Sequence, residues 1–177
     1  MQCRPAACLK MQRTLIVVMG PSACGKSLVG QALAAAISAD FIEGDDFHPP
    51  SNIAKMSSGR PLTDADREAW LNALLAQVEA SSKDRVILAC SALTSFAQAR
   101  LRQVKHRAIR FALLRPPYEV LEERIRERKG HFMPPSLLAS QLEALEVPPD
   151  ALTVNSANDV RSIVAEIMAR LFPTDGN

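Results

Sequence analysis

No stretch of this chain approaches the roughly 20 consecutive apolar residues that a bilayer-spanning helix needs, which excludes a membrane protein of that kind. The protein is expected to be soluble and cytoplasmic. Its four cysteines, Cys3, Cys8, Cys24 and Cys90, form no CxxC pair, and Cys24 and Cys90 sit in loop or apolar contexts where a reduced thiol behaves as a small hydrophobe. The three histidines, His48, His106 and His131, have no ligand spacing, so a zinc site is not expected. Charge of one sign is lacking as well: the formal net charge is +2, and the basic residues are scattered or interleaved with Glu, as in "EERIRERK". Nothing tracks a phosphodiester backbone, and neither nucleic acid nor a membrane is an expected partner. Internal repeats and low-complexity tracts are absent from the sequence. The opening "MQCRPAACLKMQR" has no sustained apolar centre and so does not read as a signal peptide. Residues 1–13 are expected to form a disordered leader, with Met11 a second candidate start.

What is present suits one domain. The 177 residues are 47% hydrophobic, enough to bury a substantial core. Five runs read as strands: "TLIVVM" (14–19), "DFIEG" (40–44), "RVILAC" (85–90), "IRFALL" (109–114) and "ALTVN" (151–155). Most are nearly continuous in apolar residues, as strands buried on both faces require. Helical patterns lie between them at 26–38, 63–80, 94–104, 117–129, 135–145 and 157–171. This alternation predicts an α/β fold in three layers, a parallel sheet with helices on both faces. At 63–66, "TDAD" offers Thr63 as a helix cap with Asp66 three residues on. The Pro pairs at 49–50, 116–117, 134–135 and 148–149 read as loop punctuation. A single domain is expected over 14–172, with a short tail at 173–177.

The sharpest motif is "GPSACGKS", Gly20, Pro21, Ser22, Ala23, Cys24, Gly25, Lys26 and Ser27, which satisfies G-x-x-x-x-G-K-[ST] between a strand and a helix. Backbone N–H groups of such a loop turn toward phosphate oxygens, and glycines at its ends permit positive φ and close approach. The following helix contributes the positive end of its dipole. Lys26 is expected to reach the β- and γ-phosphates and Ser27 to ligate Mg²⁺. The bland alternative is a glycine turn that happens to precede a helix. With the flanking strand and helix, the motif points to a nucleoside triphosphate site.

The acceptor is the harder question. "VILACSAL" and "RFALLRPP" end without the strand-terminal Asp that motor ATPases and GTPases use for Mg²⁺, which favours a small kinase. In "FIEGDDFHPPSN", an extended continuation puts Glu43 and Asp45 on one side with Asp46 turned away. Asp45 then reads as the base that orients an attacking hydroxyl, and Glu43 as a Mg²⁺ ligand through water. An acidic turn capping the next helix is the alternative. His48 either hydrogen-bonds a polyol acceptor or closes the turn before Pro49. The fork of Arg67 suits an acidic substrate, unless it merely pairs with Asp64. Arg124 and Arg128 share a helical face and are expected to fold over the phosphoryl group when a lid closes; Arg126 instead has Glu122 as an i,i+4 partner.

Taken together, "GPSACGKS", "GDDFHPPSNIAKMSSGRPLTDADREAWL", "LACSAL" and "RKGHFMPPSLLASQLEALEVP" resemble the small P-loop gluconokinases, relatives of shikimate kinase and the nucleoside monophosphate kinases. The resemblance covers about residues 14 to 171, and "DDFHP" and "GHFMP" are its specific segments. It implies ATP-dependent phosphorylation of D-gluconate at its 6-hydroxyl, with ATP and Mg²⁺ as cofactors. It also implies a five-stranded parallel sheet in the order 2-3-1-4-5, a lid near 122–135 and a homodimer. Carried over by position, Gly25, Lys26 and Ser27 serve ATP and Mg²⁺, while Asp45, His48, Lys55, Arg67 and His131 surround a gluconate-like sugar acid. The chain departs from the family pattern after "CSAL": Thr94, Ala97 and Gln98 stand where Lys, Tyr and Arg are usual. A neutralised helix face beside the acceptor is the expected result.

Overall fold

Short, β-branched and apolar segments form five strands: β1 (Thr14–Met19), β2 (Asp40–Glu43), β3 (Arg85–Ala89), β4 (Ala108–Leu114) and β5 (Leu152–Val154). In the computed structural model, which describes residues 12–127, 134 and 136–173, they pair in the order β2-β3-β1-β4-β5. All four pairings are parallel; β1 is central, with Val17 opposite Leu88 on one side and Phe111 on the other. The order expected from the resemblance is the order observed.

The pleat explains the two-sided core. Along β1, Leu15, Val17 and Met19 point to one face and Ile16 and Val18 to the other, all fully buried. The first face packs against Trp70, Leu71, Leu74 and Val78 of α3 (Asp64–Ala80) and Ala97 and Leu101 of α4 (Ser95–Leu101). The second meets Val29 and Leu33 of α1 (Lys26–Ala36), Leu121 of α5 (Tyr118–Glu127), Leu138 of α6 (Leu137–Glu143) and Ile163, Val164 and Ile167 of α7 (Val160–Leu171). Both faces of the central strands are therefore withdrawn from water, as the near-continuous apolar runs require.

Three local features depart from the sequence reading. Between β2 and α3 lies a helix that "HPPSN" disguised, α2 (Pro50–Ser57). Pro50 occupies its first turn, where a missing N–H costs nothing because that N–H has no helical partner anyway. Second, the extended conformation stops at Glu43, and Gly44–Phe47 coil into a 3₁₀ turn, so the alternation argument for Glu43 and Asp45 does not hold. Third, Arg13, assigned to the leader, donates to the carbonyls of Ser81 and Lys83. Arg107 grips the same loop through Ser81, Lys83 and Asp84.

The cap at Thr63 forms in full: its hydroxyl accepts from Asp66 N–H, and Asp66 carboxylate accepts from Thr63 N–H at 2.7 Å. Lys55 of α2 joins Asp66, fastening α2 to α3. That lysine and Thr63 hold the Asp66 carboxyl well below the usual carboxylate range.

Candidate active site

The carboxyl ends of β1, β2 and β3 lie side by side, so the loops that leave them converge. The loop after β1 is stitched to the loop after β3 by Gly20 N–H donating to Ser91 O at 3.3 Å. Gly25 holds φ at 101°, and a Cβ placed there would meet nothing within 4 Å. The space over Gly25 is open, as a bound phosphate needs, and α1 begins at the next residue. Lys26 Nζ is held over this loop by the carbonyls of Gly20 (3.1 Å) and Pro21 (2.9 Å). An ammonium has three donors, so among the described residues one remains for a phosphate oxygen.

A cavity of about 350 Å³ opens from this loop. Its lining includes Ser22, Ala23, Gly25, Lys26 and Ser27 from the loop, Asp45 and His48 from the segment after β2, Arg67 and Trp70 of α3, and Arg124 of α5. The size and the mixture of apolar walls with a few convergent polar groups are those of a small-molecule site. Gly20, Pro21 and Cys24 belong to the loop without lining the cavity. Cys24 is buried, and its carbonyl accepts from Ser156 Oγ at 2.7 Å. Burial raises the thiol pKa of Cys24, and pushes that of Cys90 up to about 12. Neither thiol is a nucleophile at neutral pH.

On the acceptor side, the 3₁₀ turn presents Asp45. Glu43 caps that turn, its Oε1 3.5 Å from Asp45 N, and does not line the cavity. Trp70 supports the turn from below: it is 2% exposed, and its Nε1–H donates to Gly44 O at 2.8 Å. His48 stacks on the indole with ring centroids 4.2 Å apart. Burial lowers the imidazole pKa to about 4, with Arg67 acting in the same direction and Asp45 against it. His48 is thus a neutral ring at physiological pH. Arg67 lines the cavity while its NH1 pairs with Asp64 at 2.8 Å, the pairing weighed as its plain alternative. Arg124 donates to Ser156 O at 3.0 Å, which fixes the end of α5 beside the phosphate loop.

Other expected residues lie elsewhere. Lys55 is engaged by Asp66 and is absent from the cavity lining. Arg128 and His131, with half of the expected lid, fall outside the described residues. Thr94 is the N-cap of α4, accepting from Ala97 N at 3.3 Å, and Gln98 is buried, donating to Ala92 O and Glu146 O. Ala97, 2% exposed, and Leu93 supply an apolar patch of cavity wall. Arg100 and Arg102 do not replace a lost charge there, since Arg100 binds Asn72, Gln103 and Glu68 and Arg102 binds Asp150. Sequence reasoning missed Trp70 and Gln141. Trp70 was legible as the lone Trp of the chain, on the buried stripe 70–71–74–78 of α3; Gln141 carried no signal of its own.

Comparison with known proteins gives this geometry a family. An AAA domain family matches residues 15–148. A gluconokinase of Gluconobacter oxydans (strain 621H) is 45% identical over 139 residues, 76% of this chain and 76% of that protein. The thermosensitive gluconokinase of Escherichia coli (strain K12) is 39% identical, covering 85% of this chain and 83% of that one. The crystal structure of a gluconokinase from Sinorhizobium meliloti 1021 superimposes with a TM-score of 0.78 at 44% identity, over 90% of this chain and 94% of that one. A P-loop cradle facing an acidic and cationic pocket, on a 2-3-1-4-5 sheet, with these relatives across most of its length, places the chain in the gluconokinase family of P-loop kinases.

Proposed function

We propose that this protein transfers the γ-phosphoryl group of ATP to the 6-hydroxyl of D-gluconate, giving 6-phospho-D-gluconate and ADP. The observation that carries this reading is the single cavity whose wall runs from the phosphate loop, through Lys26 and Ser27, to Asp45, His48, Arg67 and Trp70. A polyol acid needs both a cation for its carboxylate and hydrogen-bonding groups for its hydroxyls, and that wall offers both. Gluconokinase relatives at 34–45% identity support the same substrate.

Within this cavity the residues divide the work. Lys26 neutralises charge on the β- and γ-phosphates, and the loop N–H groups cradle them. Asp45 orients the acceptor hydroxyl and takes its proton, Arg67 receives the carboxylate, and neutral His48 hydrogen-bonds a hydroxyl. The fit to Mg²⁺ rests on oxygen donors: Ser27 and Asp45 line the same cavity, and Mg²⁺ selects hard oxygen ligands. Ser27 would hold the ion, which when bound would screen phosphate charge; Glu43, which caps the 44–47 turn outside the cavity lining, is less well placed for the water-mediated contact expected of it. Arg124 adds charge stabilisation at the edge of the site, and Arg128 and His131 complete the set proposed from the resemblance. Homodimeric assembly and a cytoplasmic location belong to the same proposal; among the described residues no helix is long and apolar enough to cross a membrane.

A coupled assay for ADP release across gluconate, its keto and epimeric analogues and shikimate tests the acceptor. The highest kcat/KM is expected for gluconate. A clear preference for another sugar acid would reassign the substrate while keeping the kinase.

A further inference from the structure

One wall of the cavity belongs to neither the phosphate loop nor the acidic turn. Leu137, Ser140 and Gln141 of α6 and its C-cap Ala144 occur at spacings of three, one and three residues, one helical face that lines the cavity. This helix is hydrogen-bonded at both halves. Toward the nucleotide side, Gln141 Oε1 accepts from the backbone N–H of Ser22, inside the phosphate loop, at 2.8 Å. Toward the acceptor side, the residues just after α6 are tied to the loop and helix that follow β3. Glu146 N–H donates to Leu93 O at 2.8 Å, Glu146 O accepts from Gln98 Nε2 at 2.6 Å, and Glu146 Oε1 accepts from Ser95 N–H at 3.0 Å. Leu93 and Ala97, the acceptor wall, are thus joined to the phosphate loop through one short helix. Among the described residues the acceptor-side joint has three bonds, and Gln141 supplies a side-chain bond to the loop.

We propose that Gln141 is a positioning residue that couples the two halves of the site, so that nucleotide and acceptor each tighten binding of the other. The proposal rests on the kinase reading above, and its mechanism is mechanical. Fixing Ser22 fixes α6, and α6 carries that restraint to Leu93 and Gln98; by linkage the effect is equal in the opposite direction. The side chain has to be an acceptor of about the length of Gln to do this. Leu removes the bond at similar volume, and Glu keeps an acceptor oxygen while adding charge near the phosphates.

The test uses the full chain and the non-hydrolysable analogue AMPPNP with Mg²⁺, titrated calorimetrically with and without saturating gluconate. A second reading, amide hydrogen exchange at residues 92–98 on adding AMPPNP alone, needs no acceptor. Thermal melts establish that each variant is folded. In the wild-type protein gluconate is expected to tighten AMPPNP at least fivefold, and AMPPNP alone to slow exchange at 92–98. Gln141→Leu should reduce the first factor to below two and abolish the second effect. Gln141→Glu should bind AMPPNP more weakly yet restore both. If gluconate does not bind but AMPPNP still protects 92–98 through Gln141, the substrate reading fails and the coupling stands. A folded Gln141→Leu variant that retains the wild-type factor, or wild-type protection at 92–98, overturns the proposal.

Discussion

Trp70 governs the acceptor side through one polar atom. Its indole N–H holds the Gly44 carbonyl, and its face carries His48. Trp70→Phe keeps an aromatic surface but leaves that carbonyl without its donor, at a cost of about 1–3 kcal/mol. Chemical denaturation should register that loss, accompanied by a higher KM for gluconate as the 44–47 turn loosens. His48 adds a pH dependence. Its folded pKa of about 4 lies below the ordinary value of 6.5, so the unfolded chain binds a proton that the folded chain resists. The stabilising contribution is complete above pH 6.5 and is lost as pH falls from there toward 4. His48→Phe should flatten the slope of stability against pH in that window; an unchanged slope would assign it to other groups. Thr94 stands where the family pattern has Lys, and in the structure it caps α4. Thr94→Lys is expected to destabilise by about 1 kcal/mol through loss of the cap, which a denaturant melt would register. Single-residue positions were legible where a motif imposes them, as at Lys26 over the phosphate loop, and less so where a turn intervenes. Asp45 lines the cavity, although the alternation invoked for it ends at Glu43.

At the scale of elements, strands and long helices were readable because burial imposes a period on them. The runs 14–19, 85–90 and 109–114 became β1, β3 and β4 with shifts of one residue or none. The short helix α2 was not readable, because its two leading prolines resemble a loop until Pro50 is seen in the first turn. Its attachment to α3 depends on side chains that sequence spacing does not bring together, Lys55 and Asp66. The capping box was readable, since Thr63 and Asp66 satisfy each other locally. Thr63→Ala should cost about 0.5–2 kcal/mol. For a domain of this size each kcal/mol lowers Tm by about 2–4 °C. A melt with no shift would indicate that the bonds from Lys55 and Asn52 of α2 to Asp66 hold the start of α3 without the cap.

For the whole molecule, the decisive fact is the strand order. With β1 between β3 and β4, and β2 beyond β3, the loops after β1, β2 and β3 meet at one edge, and the cavity spans them. The alternation of strand and helix announced a parallel sheet, but the order itself came from family resemblance, because periodicity contains no information on which strands are neighbours. The same holds for Gln141 and Ser22, which are 119 positions apart in sequence. In the function proposed above, this edge transfers phosphate from ATP to the 6-hydroxyl of gluconate, with Lys26 acting on phosphate charge. The most direct measurement is phosphorus NMR of the product formed from ATP, Mg²⁺ and gluconate by the wild-type protein and by Lys26→Ala. A phosphomonoester coupled to the two C6 protons should accumulate with the wild-type protein, and the variant should remain folded but form at least a hundredfold less. No sugar phosphate from the wild-type protein, a phosphate on another carbon, or near-normal turnover by the variant would contradict it.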